Sequence, residues 1–380
     1  MPWREANAMS LRLDFVTLAS HDDTNLRELC RQFSISPNTA YKWLARYQAA
    51  GPAGLEDRSR RPVTNPGRTA PGMEQLVLAT RQAHPAWGGR KLKAYLEQAG
   101  YAEVPAASTI TAILRRHAAL DAQEATKHRA CQRFERSAPN ELWQMDFKGH
   151  FALADGTRCH PLTILDDHSR YLLALVACDD ETRPTVQHSL TVIFERYGLP
   201  ERILCDHGPP WSAPNTREAH TGLSVWLLRL GIAIVHGRPN HPQTQGKDER
   251  LHRTLRAELL AQQAFADLAA CQPAFDAWRQ MYNEQRPHEA LALQVPAACY
   301  GPSPRPWPAR LPAIAYPPED RVRKVQDKGQ IKVAGHEFRI GKAFIGQPVG
   351  IRPTSQDGCY DVYFCEQRVA QIQLAAGQRI

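Results

Sequence analysis

At Asn140 the hydrophobic period of this chain changes, and no other feature constrains its fold as much. Upstream, apolar residues recur at helical spacing. Downstream come short alternating runs, LWQMDFKGHFAL, HPLTILDDHS and RYLLALVACDD, which read as three sequential antiparallel strands with turns at Ala154–Gly156 and Asp167–Ser169. A helix over Arg183–Tyr197 stops at Gly198-Leu199-Pro200. A strand RILCD, a helix near Ser224–Leu230 ended by Gly231, and a strand IAIVHG follow. Strands in a row, then strand, helix, strand and helix, predict a mixed sheet flanked by helices.

With 380 residues the chain is too long for one ordinary core, so smaller domains are expected around this α/β centre. Its longest apolar stretches, such as Tyr171–Cys178, fall well short of the roughly 20 residues that span a bilayer, and MPWREANAMS lacks a signal-peptide apolar region. A cytoplasmic protein with no membrane partner is the expectation. The nine cysteines are scattered without a CxxC pair or zinc spacing, which fits small buried hydrophobes in a reducing compartment. A net charge of +8, carried in Arg and Lys runs, points to a polyanionic partner.

The N-terminal third reads as two small helical modules. Leu26, Leu29, Cys30 and Phe33 lie at helical spacing, SIS breaks the run, and Ser36-Pro37 supplies an N-cap and a first-turn proline for a second helix with Ala40, Leu44 and Tyr47 inward. A candidate first helix spans Leu11–Leu18. This outlines a helix-turn-helix, whose outward residues Asn38, Thr39, Lys42 and Arg46 would enter a major groove. An ordinary helical hairpin explains the pattern about as well until the next stretch is added. Residues 55–72 hold four arginines against two acids among several prolines, an extended arm whose Arg58, Arg60 and Arg61 could lie along phosphates. Met73–His117 repeats the theme, with a third helix capped by Ser108 and with Ser108, Thr109 and Arg115 as candidate contacts; Trp87 is read as packing at a turn. A basic connector with Lys127, Arg129, Arg133 and Arg136 leads to the core.

Asp146 sits among apolar neighbours in a strand, and Asp206 where a strand meets HGPP. A charge in either place is costly without a partner. One such acid is most simply an edge residue or an ion pair; two at strand ends with a third acid downstream favour a site for a hard cation. In GKDERLHRTL, Leu251, Leu255 and Leu259 share one helical face and Glu249 lies opposite with Arg253 and Arg256. A solvated Glu249 pairing with Arg253 remains open on geometry alone. Asp248 points about 100° away from Glu249, and Asp166 and Asp167 read as turn formers.

Taken together, the DF of the first strand, LDDHSRY, LCDHG, HPQTQGKDERLHRTLRAEL and YNEQRPHEAL resemble the integrase-core superfamily of DDE transposases and retroviral-type integrases, specifically bacterial insertion-sequence transposases. The resemblance covers essentially the whole chain. It implies a ribonuclease-H-like catalytic core and assigns Asp146, Asp206 and Glu249 as catalytic, metal-holding carboxylates for two Mg²⁺ ions, with Mn²⁺ as an alternative. It also implies double-stranded DNA partners, namely terminal inverted repeats and target DNA, a homo-oligomer assembled on DNA, and a place in the bacterial nucleoid. His207, Gln243, Lys247, Arg250 and Arg253 become candidate phosphate or strand positioners. Two departures stand out. The position before the glutamate is usually apolar, and here it is Asp248. Between Asp206 and Glu249 lie 42 residues where the family commonly has about thirty-five, the surplus falling in PPWSAPNTREAHTG.

Beyond the core, 266–291 reads as one amphipathic helix, 296–318 as a stiff linker with eight prolines, and 321–380 as alternating strands of a small SH3-like barrel. The expected domains are helix-turn-helix modules at 1–54 and 73–118, joined by a linker at 55–72. A connector at 119–138 leads to a catalytic core at 139–292, and a second linker at 293–318 to a barrel at 319–380. A nuclease without strand transfer, or a catalytically silent DNA-binding regulator, is the alternative; the latter predicts loss of a carboxylate, and all three are present.

Overall fold

The computed structural model describes residues 7–58, 68–120, 135–211, 220–237 and 246–374. The chain divides into two compact units, Met1–Arg68 and Thr69–Ile380. In the first, α1 (Ala8–Ala19), α2 (Leu26–Gln32) and α3 (Pro37–Ala50) close on a core of Phe15, Val16, Leu29, Ala40, Trp43 and Leu55. Ser36 caps α3 as expected, its hydroxyl accepting the Thr39 N–H at 3.2 Å, while Pro37 fills the first turn without orphaning a donor. The inward stripe of α3 also contains Trp43, and the cationic groups of Arg12, Lys42 and Arg46 lie 4.1, 4.8 and 5.0 Å from its ring centre.

The second unit begins with another three-helix module, α4 (Pro71–Ala83), α5 (Gly89–Gln98) and α6 (Ala107–Arg116), packed around Val77, Trp87, Leu92, Leu96, Ile110 and Ile113. Ser108 is not the cap of the last helix. The helix starts earlier, with Ala106 at the cap position and Ala107 as a strong helix former in its first turn, so Ser108 lies inside it. A Cβ on Gly89 would stand 2.4 Å from the Ala107 carbonyl oxygen and 2.5 Å from Thr111 Oγ1. Only glycine lets the first turn of α5 lie so close on the first turn of α6.

The α/β centre comprises β1 (Trp143–Phe147), β2 (Phe151–Ala152), β3 (Arg158–Asp166), β4 (Leu172–Cys178), α7 (Arg183–Tyr197), β5 (Arg202–Cys205), α8 (Gly222–Arg229), β6 (Ala233–His236), α9 (Gly246–Leu255) and α10 (Leu268–Glu284). The first expected strand is split into β1 and β2 at Lys148-Gly149-His150, where Gly149 takes a φ of 82°. β3 pairs antiparallel with β1, β2 and β4, whereas β1 with β5 and β5 with β6 run parallel, so the sheet is mixed. Alternation along the strands sorts the core into two layers. Trp143, Met145, Leu162 and Ile164 meet α7 and α8 through Leu190, Phe194, Trp226 and Leu227. On the other face Leu165, Leu172 and Leu175 meet α9 and α10 through Leu251, Leu255, Phe275 and Trp278.

The helix expected over 266–291 stops at Glu284, because Pro287 cannot continue it, and a short 3₁₀ turn, Glu289–Leu291, takes over. The proline-rich segment, with α11 (Pro296–Cys299), is bound down on the core instead of spanning free between domains. Arg305 donates to the carbonyls of Pro200 and Leu230 at 2.7 and 2.8 Å, and the Ser303 N–H to Tyr197 O at 2.8 Å. The C-terminal region is all-β: β7 (Arg321–Lys324), the hairpin of β8 (Gln330–Val333) and β9 (His336–Arg339), then β10 (Pro348–Pro353), β11 (Cys359–Phe364) and β12 (Gln367–Gln373), with sheet order β12-β11-β10-β7. Its core of Ile331, Phe344, Val349, Val362 and Phe364 continues onto Val225 and Leu228 of α8. Among the described residues no helix is long and apolar enough to cross a membrane.

Candidate active site

The register of two parallel strands builds the centre of the site. Trp143 pairs with Ile203 and Gln144 with Leu204, so the same offset carried two residues further sets Asp206, directly after β5, abreast of Asp146. Neighbouring strands stand about 4.8 Å apart, and residues in register on parallel strands project to the same face. For Asp146 that is the face opposite the buried Trp143 and Met145, on the side where α9 packs against β1. Burial pushes the Asp146 carboxyl up to about 7. The neighbouring Asp206 charge pushes the same way, the Phe147 N–H opposes it, and Glu181 and Glu249 add smaller repulsions. The Asp206 carboxylate accepts the N–H of His207 at 2.5 Å.

Behind Asp146 the backbone is fixed by a polar chain that the sequence does not announce. The Thr163 hydroxyl donates to the Asp146 carbonyl at 3.0 Å and lies 2.9 Å from Nε2 of His252 on α9. Burial, with Lys148 nearby, lowers His252 to about 4, which keeps its ring neutral and free to donate to that hydroxyl. β1, β3 and α9 are thereby tied together beneath the carboxylate.

On α9 the leucine face is as expected, with Leu251 and Leu255 buried and Glu249 exposed on the far side. Among the described residues no ion pair joins Glu249 to Arg253, and Glu249 contributes to the field at Asp146. Asp248 is the surprise. It is 1% exposed, its Oδ1 has no hydrogen-bond partner, and burial followed by the charges of Asp146 and Asp167 holds its carboxyl well above the usual range against the pull of Lys247. The signal was present: 248, 251 and 255 are spaced i, i+3, i+7, so Asp248 occupies the apolar stripe.

Asp166, which ends β3, and Asp167, in the turn after it, have a larger job than shaping that turn. Asp166 accepts from the Ser169 N–H and the Asn140 N–H, both at 2.8 Å. Asp167 accepts from Gln144 Nε2 at 2.6 Å and from the Arg136 N–H at 3.0 Å, and Lys247 Nζ lies 2.5 Å from its Oδ1. Lys247, read from sequence as a DNA contact, is therefore committed to Asp167 and to that residue's carbonyl at 3.0 Å. Its position next to the buried Asp248 turns it inward.

Among the described residues no three His, Cys, Asp or Glu side chains stand close enough together to hold an ion. The structure thus brings Asp146 and Asp206 side by side and leaves Glu249 on the adjoining helix, within their field and short of a closed ligand cage. The donor set suits a hard divalent cation: all oxygen, with Asp146 half-buried and repelled by like charges.

Of the candidate DNA contacts, Asn38 and Lys42 are exposed on α3, while Thr39 and Arg46 are half-buried, Thr39 Oγ1 lying 2.9 Å from Ser36 Oγ. Ser108, Thr109 and Arg115 are exposed along α6, as are Arg58 and Arg253. Arg250 is 55% exposed and 3.7 Å from Glu289. Arg60, Arg61, Gln243 and the connector's Lys127, Arg129 and Arg133 lie outside the described residues.

Comparison with known proteins places these observations. Residues 136–242 and 230–296 match two integrase core domain models, which makes the centre an integrase-type core. Residues 11–62 match a helix-turn-helix domain and 39–114 a homeodomain-like domain. Residues 320–379 match the C-terminal domain of IS481 family transposases. These matched segments make the chain similar to insertion-sequence transposases of the integrase-core superfamily.

It is 30% identical over 160 residues to an uncharacterized 31.7 kDa protein of insertion element IS407 from Burkholderia multivorans, a match covering 42% of this chain and 55% of that one. It is 27% identical over 161 residues to a 39.2 kDa protein of IS476 from Xanthomonas euvesicatoria, covering 42% and 44%. The chain thus spans about half the length of these curated relatives. A chain in the cryo-EM structure of the simian T-cell lymphotropic virus intasome aligns over 79% of this chain and 99% of its own, at 15% identity and a TM-score of 0.39.

Proposed function

We propose that this protein is a transposase that binds the terminal inverted repeats of its element and, through Asp146, Asp206 and Glu249, cleaves the DNA ends and joins them to a target. The observation that carries the reading is the parallel β1–β5 register, which sets Asp206 abreast of Asp146 beneath the helix bearing Glu249. Asp146 and Asp206, with Glu249 drawn in, would hold two Mg²⁺ ions, or Mn²⁺, which when bound activate the attacking oxygen and stabilise the leaving one. Thr163 and His252 hold the Asp146 backbone in place. Water attack at an element end frees a 3′-hydroxyl, and that hydroxyl attacks a target phosphodiester in the same in-line manner, so no Ser or Tyr nucleophile is required.

In this reading the core is ribonuclease-H-like and the C-terminal region an SH3-like barrel that contacts DNA or packs subunits. The helix-turn-helix modules read the ends through α3 and α6, and the protein works as a homo-oligomer on DNA in the bacterial nucleoid. A footprint on the DNA flanking the gene, followed by a Mg²⁺-dependent joining assay on the protected ends, tests it. Glu249→Gln is expected to abolish cleavage and joining while sparing the footprint; full activity in that variant removes the assignment. Hydrolysed ends that never join would leave a nuclease.

A further inference from the structure

Between the second helical module and the catalytic helix lies a seam with more positive charge than its own carboxylates neutralise. Arg90 and Lys91 stand in the first turn of α5. Arg90 reaches Glu289 at 3.2 Å, and the same carboxylate receives Arg250 of α9 at 3.7 Å, so one glutamate bridges the two helices. Lys91 is half-buried beside Arg286 and Arg250, with Glu258 and Glu289 as the opposing charges, and burial followed by the Arg286 charge lowers its ammonium to about 8. Arg90, Lys91, Arg250 and Arg286 make four cations against those two carboxylates. Glu258 is spent on internal bonds, accepting from Arg286 Nε at 2.9 Å and from Trp87 Nε1 at 3.2 Å.

The seam also has a direction. At one end the close approach of Gly89 to Ala107 sets the first turn of α5 on that of α6, where Ser108 and Thr109 are exposed. At the other end Arg250 is the residue after Glu249. We propose that Arg90, Lys91 and Arg250 form a phosphate-binding track that carries one DNA strand from the α6 reading head to the carboxylate site. The ligand is the phosphodiester backbone of an element end, held without reading its bases; this rests on the function proposed above. Arg90 is 71% exposed and Arg250 55%, so both guanidinium groups are open to a phosphate, and Glu289 holds them at the spacing of the track until one arrives.

The test is the salt dependence of affinity of the full chain for a synthetic duplex taken from the footprinted DNA. Each phosphate contact contributes about 0.9 to the slope of log affinity against log salt, so Arg90→Ala combined with Lys91→Met is expected to lower that slope by about 2, and Arg90→Lys combined with Lys91→Met to lower it by only about half as much. Methionine keeps the buried stem of Lys91, and a thermal melt matching the parent shows that the fold persists. An unchanged slope in the folded double variant overturns the track, as does an equal loss in Lys93→Ala, whose lysine is paired with Glu97 on the same helix. Failure of the transposase reading looks different: Glu249→Gln would then cut and join normally while the slope still responded to Arg90 and Lys91.

Discussion

Replacing Asp146 by Asn is expected to stabilise the protein in the absence of divalent metal, and the size of the gain follows from the site. The Asp146 carboxyl is raised from 3.8 to about 7, first by burial and then by Asp206. At 1.36 kcal/mol per pH unit, a rise of about three units is worth at most ~4 kcal/mol when the group is charged. Because burial is the larger cause and a buried Asn amide also loses its hydration, roughly half of that, ~2 kcal/mol, is the expected gain for Asn. The sign with pH is fixed. Between about 4 and 7 the folded state holds a proton that the unfolded chain has released, so the stability of the parent falls as pH rises through that window and the penalty is complete above it.

The parent and Asp146→Asn should therefore melt alike near pH 4. By pH 8 the variant should lead by about 4 °C, taking roughly 2 °C per kcal/mol for a unit of this size. Melting curves by differential scanning fluorimetry at pH 4 to 8 in EDTA, then with millimolar Mg²⁺, measure both. Added Mg²⁺ should raise the parent and leave the variant unmoved, because a cation relieves the repulsion that Asn has already removed. A variant no more stable than the parent at pH 8, or a difference independent of pH, would refute the electrostatic argument.

Three other substitutions test the supports of the site. Gly89→Ala forces a Cβ to 2.4 Å from the Ala107 carbonyl oxygen and should cost about 2 kcal/mol, seen as a lower melting temperature and faster proteolysis between α5 and α6. Glu258→Ala strands Arg286, which is buried and pairs with it at 2.9 Å, and should cost about 3 kcal/mol by urea titration. Asp248→Leu removes a buried carboxyl whose Oδ1 has no partner and should gain about 1–2 kcal/mol at pH 8, measured the same way; a loss would mean that Asp248 is held by more than its burial shows.

What the sequence made legible was local. The switch of period at Asn140, the Ser36-Pro37 start of α3 and the strand ends carrying Asp146 and Asp206 all follow from spacing, caps and turns that act within a few residues. The polar chain of Thr163 and His252 spans 89 positions, and the Arg305 bonds that bind the proline-rich segment down reach 105 residues back to Pro200, so neither has a local signature. Asp248 lies between these cases. Its place in the leucine stripe is readable, but a helical wheel cannot say that an acid there stays buried, because that depends on Asp146 of β1 and Asp167 of the turn after β3 arriving from elsewhere in the chain. The inward turn of Lys247 has no local signature for the same reason: its partner Asp167 lies 80 residues away.

The long interval between Asp206 and Glu249 illustrates how distance along the chain and distance in the fold separate. The stretch that carries the surplus is anchored on both sides of residues 212–219. Before them, Trp211 is 4% exposed with its ring 5.9 Å from Phe147; after them, the Thr221 hydroxyl donates to the Pro210 carbonyl at 3.1 Å and its N–H donates to Ser224 Oγ at 2.8 Å in the capping box of α8. Pro210 and Thr221 are therefore held together whatever lies between them. Closing a loop costs only about 0.6 kcal/mol more for each doubling of its length, so extra residues at this point are thermodynamically inexpensive. After them α8 and β6 resume from a fixed point, and β6 pairs with β5 in register, Cys205 opposite His236. A longer count in sequence leaves Asp206 where the sheet puts it. Shortening residues 212–219 to a glycine-serine link of four residues should accordingly leave the thermal stability of the core within about 1 kcal/mol of the parent, and a larger loss would show that the segment itself braces Asp206.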